Sequence, residues 1–261
     1  MLARLVRGPR SAPQILLSHG VGDCAAGFAD LIAELSPRFR VLALDHRGHG
    51  HSSRFDDSQL RHPFAALVGD FIAELEVLDR PLVYGHSMGA AIAAEAAIHR
   101  PDLVSGLILE DPAWLTMSDE ERSLTGEARA EQVRRELADL PAALHAKVSE
   151  EGWSLTEAAA WAAGRTQVQT EFLRTGVVTG RSPWREQVGR LAASDTPTLV
   201  LTGSGEGAIV GPQGADDINA YPAGAENLRC VLIDGAGHCL RRTHGTEVSR
   251  AIAQTLEWHA M

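Results

Sequence analysis

Short apolar runs alternate with helical patterns along most of this chain, and this alternation limits the fold more than any other feature. Six runs rich in Val, Ile and Leu recur at residues 14–18, 40–44, 81–85, 105–110, 198–202 and 228–233. Nearly continuous apolar strands are typical of a sheet that is covered on both faces. Helical patterns lie between the runs, at residues 25–35, 64–78, 88–98 and 246–258. This order predicts an α/β fold with a doubly wound, mostly parallel sheet.

The alternation stops between about residues 113 and 190, where helical patterns follow one another without strands. Helices inserted into a parallel sheet usually form a cap over the strand ends, where pockets lie. We therefore predict a core of residues 1–112 and 191–261 and a helical cap of residues 113–190. Among the tryptophans of this segment, we expect Trp114 and Trp153 to line a substrate pocket, although tryptophans there could also simply pack the cap onto the core. An aromatic, apolar wall would favour a hydrophobic substrate.

The overall charge narrows the classes of partner. The formal net charge is −10 and the sequence pI is about 5.5, which disfavours binding to nucleic acid or to anionic membranes. No uninterrupted apolar run is long enough to span a bilayer. The amino-terminal apolar residues are interrupted by Arg4, Arg7 and Arg10, so we expect no signal peptide. A small-molecule substrate is the expected partner, and the sequence carries no signal for an oligomeric state.

The three cysteines are sparse and lack CxxC spacing: Cys24, Cys230 and Cys239. This pattern argues against a disulfide framework and against a zinc site. A reducing cytoplasm is the expected location, and we expect Cys239 to be a packing residue rather than a catalytic one.

The segment Gly85-His86-Ser87-Met88-Gly89 joins one of the apolar runs to a helical pattern of small residues. Gly-x-Ser-x-Gly between a strand and a helix is the nucleophile elbow, in which a tight turn exposes the serine hydroxyl. The glycines are needed because a side chain there would collide with neighbouring backbone. The following helix directs its amino-terminal amides at the site. We predict that Ser87 is a nucleophile and that His86 contacts the substrate.

Two further segments carry candidate site residues. The sequence Asp-Gly-Ala-Gly-His at residues 234–238 follows the last apolar run, and a loop histidine there can act as the general base for a serine. His238 is therefore the predicted base. The sequence Leu-Ser-His-Gly-Val-Gly at residues 17–22 follows the first long run.

Together with Asp-His-Arg-Gly-His-Gly-His-Ser at residues 45–52, these motifs and their order resemble the α/β-hydrolase fold family. The resemblance covers about 180 residues outside the cap. It implies an oxyanion hole formed by the backbone amides of Val21 and Met88, with Gly20 allowing its loop to turn inward. It also implies that His19 orients that loop. Only residues 2–7 precede the first long run, so one of the usual eight strands is expected to be missing.

The histidines at positions 46, 49 and 51 invite a metal-binding interpretation. In the family that the chain resembles, this segment is a structural turn in which Asp45 and Arg47 anchor loops. No carboxylate and histidine cluster at ligand spacing accompanies the histidines. We therefore predict no metal and no cofactor.

The acid of the expected triad has two candidates in the sequence. Family members usually place it after the run at residues 198–202, where this chain has Gly-Ser-Gly-Glu-Gly-Ala-Ile-Val and no aspartate. Glu206 is one residue out of register, and Gly207 occupies the aligned position. The alternative is Asp111, at the carboxyl end of the preceding run, as in enzymes resembling zearalenone lactonases. We favour Asp111, keep Glu206 as the alternative, and expect Glu110 to point to the opposite side of the sheet.

These residues predict a serine hydrolase that cleaves a carboxylic ester or a lactone through an acyl-enzyme. A carbon–carbon bond hydrolase has similar motifs and is an alternative. A member of the fold that binds a ligand without catalysis is another. Dehalogenase and epoxide hydrolase activities are disfavoured, because those relatives carry an aspartate at the elbow.

Overall fold

The computed structural model describes residues 1–221 and 226–259. In that part of the chain, seven strands form one sheet in the order β1-β3-β2-β4-β5-β6-β7. β1 is antiparallel to β3, and every other neighbouring pair is parallel. The strands are β1 (Arg4–Arg7), β2 (Gln14–Ser18), β3 (Arg40–Leu44), β4 (Leu82–His86), β5 (Gly106–Glu110), β6 (Thr198–Gly203) and β7 (Leu228–Ile233). The predicted α/β fold with a mostly parallel sheet is confirmed.

Helices cover both faces of the sheet and fill the segment between β5 and β6. Before β5 lie α1 (Ala29–Leu35), α2 (Asp57–Leu60), α3 (Pro63–Leu75) and α4 (Met88–His99). Between β5 and β6 lie α5 (Asp119–Ala138), α6 (Leu140–Ser149), α7 (Leu155–Gln167), α8 (Thr170–Arg174) and α9 (Trp184–Ala192). After β6 lie α10 (Gly211–Asn219), α11 (Leu240–Thr243) and α12 (Gly245–His259). Within the described residues, no helix is both long and apolar enough to cross a membrane.

The core has one apolar layer on each side of the sheet. Seven of the twelve residues of α4 are Ala or Gly, and nine of the twelve are buried. Small side chains let this helix lie close to the strands, and it joins α3 in the layer on one face. Phe28, Leu31 and Leu35 near the first helix share the opposite layer with Val248 and Ile252 of α12.

The strand order reverses direction between β2 and β4. The chain passes from β2 outward to β3, then crosses back to β4 on the other side of β2. In open α/β sheets, ligands bind in the crevice at such a reversal, outside the carboxyl ends of the strands. The loop after β2 and the turn after β4 therefore meet at one place, and the ends of β5, β6 and β7 lie along the same edge.

The segment between β5 and β6 is helical, and the domain division at residues 113 and 190 stays a prediction. α5 begins at a capping box in which Ser118 and Glu121 satisfy each other's backbone amides. α9 crosses the second predicted boundary. Its Val188 and Leu191 are buried in the same layer as α4, so this helix packs onto the sheet side of the molecule.

Candidate active site

Ser87 lies at the turn between β4 and α4, in a backbone conformation that side chains rarely adopt. Its φ is 54° and its ψ is −116°. The turn is tight on both sides. A Cβ at Gly85 would lie 2.6 Å from the Cα of Ala90, and one at Gly89 would lie 2.1 Å from the carbonyl oxygen of Ser18. Both glycines of the motif are therefore required sterically, and the strained turn carries Ser87 to the end of the sheet.

A hydrogen-bonded chain links Ser87, His238 and Asp111. His238 Nε2 lies 2.9 Å from Ser87 Oγ, and His238 Nδ1 lies 2.6 Å from Asp111 Oδ2. Asp111 is fully buried and its carboxylate only accepts hydrogen bonds. Nδ1 of His238 therefore carries the ring hydrogen, which leaves Nε2 free to accept the proton of the serine hydroxyl. The structure brings these three predicted residues together.

The carboxylate of Asp111 has four hydrogen-bond donors. Besides His238, they are the Thr202 hydroxyl at 2.8 Å, the Ile209 amide at 2.8 Å and the Val210 amide at 3.1 Å. Burial by itself would raise the pKa of Asp111. The hydrogen bond and charge of His238, with the Ile209 and Thr202 donors, outweigh it and hold the pKa below its usual value. Asp111 is thus built to stay ionised.

Among the described residues, Glu110 and Glu206, the two other carboxylates considered in the sequence analysis, make no hydrogen bond with His238. Glu110 is buried on the other side of the sheet, where it accepts hydrogen bonds from the Tyr84 hydroxyl at 2.8 Å and the Arg241 amide at 2.9 Å. Glu206 is exposed, and its side chain has no hydrogen bond to His238 within the described part of the chain. The geometry therefore gives the alternative acid Glu206 no contact with the predicted base.

The loop after β2 passes directly beside the serine. A Cβ at Gly20 would lie 3.0 Å from His86 Nδ1 and 3.3 Å from Ser87 Cβ, so a side chain there would force these two residues to shift by a few tenths of an ångström. Among the described residues, neither the Val21 amide nor the Met88 amide donates to an acceptor. Met88 is also the first residue of α4, where a free amide faces outward from the helix terminus. The residues that directly follow Gly20 and Ser87 in the chain therefore each carry an amide without an acceptor.

The histidines near this loop are engaged in structural hydrogen bonds. His19 Nε2 accepts from the His46 amide at 3.0 Å, and its Nδ1 lies 2.7 Å from the Gly20 carbonyl oxygen. His49 Nε2 accepts from the Gly22 amide at 3.0 Å. The exposed His51 donates its backbone amide to Asp45. Within residues 1–221 and 226–259, no three His, Cys, Asp or Glu side chains are arranged to hold a metal ion.

A cavity of about 360 Å³ opens onto Ser87 and His238. Larger surface clefts, of about 770, 570, 410 and 400 Å³, contain neither residue. Trp153 and His86 line the cavity, as expected. Trp114 does not line it. Its buried indole stacks on Trp184 with ring centres 6.0 Å apart, which corrects the expectation that it forms a pocket wall.

The lining is mixed: apolar side chains, among them Leu115, Trp153 and Trp161, share it with charged ones, so the expected apolar wall is present only in part. Four cationic side chains line the cavity, against two carboxylates, Asp23 and Glu151. The cations are Arg129, Lys147, Arg165 and Arg242. The sequence analysis missed all four because a helical pattern does not show which charged residues of α5, α6, α7 and α11 face the cavity. Thr202, at the end of β6, was also missed, although polar residues at that strand end are a usable signal.

Comparison with protein families matches residues 15–251 to the model described as the alpha/beta hydrolase family. A curated relative, 2-(acetamidomethylene)succinate hydrolase of Mesorhizobium japonicum, is 34% identical over 106 residues, which are 41% of this chain and 38% of that protein. The matched segments span about a third of the length of the first curated relatives, 33% and 38%.

Solved structures share the fold over nearly the whole chain. An enol-lactonase from Burkholderia xenovorans LB400 has a TM-score of 0.74 at 22% identity, covering 98% of this chain and 96% of that one. An N-formylmaleamic acid deformylase from Pseudomonas putida S16 has a TM-score of 0.75 at 19% identity, covering 97% and 95%. The resemblance of the motifs is confirmed by the family model, by these structures and by the sheet topology: the chain belongs to the alpha/beta hydrolase family.

Proposed function

We propose that this protein is a serine hydrolase that cleaves a carboxylic ester or lactone of a small molecule through an acyl-enzyme. The observation that carries the proposal is the hydrogen-bonded chain from Asp111 through His238 to Ser87, at the floor of a cavity of about 360 Å³. The same three groups in the same contacts activate a serine on several unrelated folds. The cavity size is suited to a small molecule.

In the proposed first half-reaction, Ser87 Oγ attacks the substrate carbonyl carbon while its proton passes to His238 Nε2. The carbonyl oxygen becomes an oxyanion between the Val21 and Met88 amides, which have no competing acceptor among the described residues. Asp111 stabilises the imidazolium. The intermediate collapses when the carbon–oxygen bond to the leaving group breaks, and the leaving alkoxide takes the proton from His238.

The second half-reaction releases the acid. Water gives a proton to His238 Nε2 and attacks the acyl carbon, and a second oxyanion forms between the same amides. Its collapse breaks the bond to Ser87 Oγ, which recovers the proton from His238. A lactone follows the same steps, except that its leaving alkoxide stays attached to the acyl group.

A fluorophosphonate probe and a short p-nitrophenyl ester test the proposal. We expect the probe to label Ser87 covalently, and we expect the ester to release p-nitrophenol in the wild type but not in Ser87→Ala. Labelling should be slow in His238→Gln. A wild-type protein that is neither labelled nor active would overturn the proposal and leave a ligand-binding member of the fold as the remaining interpretation.

The relatives support hydrolysis in general but not a particular kind of bond. The names of two of them, an enol-lactonase and a hydrolase of 2-(acetamidomethylene)succinate, describe hydrolysis of small molecules. Among the residues that the structure describes, no contact favours carbon–carbon bond cleavage over ester cleavage. The proposed location is the cytoplasm, on the strength of the sparse cysteines alone.

A further inference from the structure

The cavity above Ser87 contrasts with the rest of this protein in charge. The chain carries 34 acidic and 24 basic side chains of Asp, Glu, Lys and Arg. The cavity reverses that ratio, since four cations line it against two carboxylates. A local excess of positive charge inside an acidic protein favours an anionic ligand at that place.

Three of the four cations already have partners. Arg242 donates to Asp23 at 2.6 Å and to Glu157 at 3.0 Å. Lys147 Nζ donates to Glu151 at 2.5 Å. Arg165 lies 2.9 Å from Glu136 and donates to the Gly22 carbonyl at 3.0 Å, so it is neutralised by a carboxylate outside the lining. These pairs hold the walls of the cavity together.

Arg129, on α5, is different. Within residues 1–221 and 226–259 it has no carboxylate at ion-pair distance, and its Nη1 is buried without an acceptor. Burying part of a guanidinium without a counter-charge is costly, because the buried donor has lost water and has no acceptor in return. Among the described residues that line this cavity, Arg129 is therefore the cation that has no carboxylate partner.

The positive charge of the neighbouring Arg165 makes it still less favourable for Arg129 to lack a counter-charge. Burial, together with the positive charge of Arg165, lowers the pKa of the Arg129 guanidinium from its ordinary value. Arg129 comes from α5 and Arg165 from α7, so two helices of the inserted segment each place a guanidinium at this wall. An anion bound at Arg129 would relieve both the missing partner and the repulsion.

The geometry points to a carboxylate as that anion, and we propose that Arg129 binds a carboxylate of the substrate. The substrate would then be a small ester or lactone that carries a separate carboxylate group beyond the bond cleaved at Ser87. A planar guanidinium fork matches a carboxylate with two parallel hydrogen bonds. One unpaired cation suits one such group. The inference rests on the proposed hydrolase function and adds the substrate class to it.

The test compares two methyl esters of similar shape. Monomethyl glutarate carries a carboxylate, and methyl 5-methylhexanoate has a branched apolar end of the same outline. Hydrolysis is followed by base titration in the wild type, in Arg129→Met and in the control Arg134→Met. Arg134 lies on the same helix, is 72% exposed and is paired with Glu131.

We expect the wild type and Arg134→Met to prefer the anionic ester. In Arg129→Met, kcat/KM for that ester should fall by about 10-fold to 100-fold, as lost hydrogen bonds to a charged group imply, mainly through KM. The neutral ester should be unaffected or improved. Equal use of both esters by the wild type, or a preference that survives in Arg129→Met, would overturn the inference.

A second measurement separates this inference from the hydrolase proposal. Glutarate should raise the thermal midpoint of the wild type and of Arg134→Met, but not of Arg129→Met. Without ligand, Arg129→Met should melt at the same or a higher temperature, because it removes an unpaired buried charge. Absence of Ser87 labelling would contradict the hydrolase function alone. Absence of the glutarate shift in a protein that fluorophosphonate labels would contradict the carboxylate site alone.

Discussion

The Ile209 backbone amide donates a hydrogen bond of 2.8 Å to Oδ2 of Asp111, the same oxygen that accepts from His238. Ile209 lies in the loop after β6, where the family more often places the acid itself. In this protein the loop contributes donors to an acid that comes from the end of β5.

The first prediction concerns that acid. Asp111→Asn should lower kcat by roughly 10⁴-fold, because an amide cannot hold the proton on Nδ1 of His238 and the wrong tautomer results. The measurement is turnover of a p-nitrophenyl ester at saturating concentration. Glu206→Gln is the control and should change kcat by less than about twofold, since the side chain is exposed. The opposite ranking of the two variants would show that the assignment of the acid is wrong.

The second prediction concerns the loop beside the nucleophile. Gly20→Ala should lower kcat by about 10²-fold to 10³-fold with little change in KM, because the new methyl group meets His86 and Ser87 and displaces the Val21 amide. Steady-state kinetics measures both parameters. Gly69→Ala is the matched control. A Cβ there has no atom within 4 Å, and the residue lies inside α3, so activity should persist and stability should rise by up to about 1 kcal/mol. Normal kcat in Gly20→Ala would contradict the placement of the oxyanion donors.

The third prediction concerns backbone strain at Ser87. With φ at 54°, this residue is held in a region that glycine adopts at no steric cost. Ser87→Gly should therefore raise the free energy of unfolding by about 1 kcal/mol while turnover is lost. Ser87→Ala should lose turnover without that gain, since alanine keeps a Cβ. Denaturant unfolding of the three proteins tests this, and equal stability of Ser87→Gly and Ser87→Ala would count against strain at the elbow.

The fourth prediction concerns acid stability. Burial lowers the pKa of His19 and of His46, and it lowers the pKa of His49 to about 3. Below about pH 6.5 the unfolded chain binds protons at these positions and the folded chain does not, so stability falls as pH falls. Each histidine contributes up to about 1.4 kcal/mol per pH unit between its two pKa values.

The free energy of unfolding, measured between pH 7 and pH 4.5, tests this sign. Asp111 does not cause the loss of stability in this pH range. Its pKa is lowered in the folded protein, so its own effect on stability appears only in more acidic solution. His49→Gln should reduce the slope, because glutamine offers an oxygen to the Gly22 amide without titrating. A flat profile above pH 4.5 would contradict the prediction.

The fold could be predicted because its signals are local. Continuous apolar runs identify β2 to β7, and the glycines of the elbow identify the turn at Ser87. The short edge strand β1 has no such run. It forms because Leu5 and Val6 pair with Ala43 and Leu42 of β3, which is a tertiary contact. The spacing of elements along the chain was therefore sufficient to predict strands β2 to β7 but not the edge strand β1.

The site was predictable where loops follow strands and unpredictable where helices cover it. Ser87, His238 and Asp111 each follow a strand end, so the topology places them at one edge. Trp114 also follows β5 closely, yet its ring turns into the core against Trp184. Side-chain direction after a strand depends on neighbours far away in sequence, and the same is true of Arg129 on α5.

Arg242 follows His238 by four residues and is 3% exposed. It donates to Asp23 in the loop that carries the Val21 amide, and to Glu157 on α7. The Arg242 guanidinium thus connects three segments: the one that carries His238, the loop that carries the Val21 amide, and α7. Any movement that lifts α7 to admit a substrate must break this junction or carry the other two segments with it. Opening of the cavity and disruption of the geometry around Ser87 and His238 are therefore coupled through Arg242, so that the proposed active site is complete only while α7 stays in contact with it.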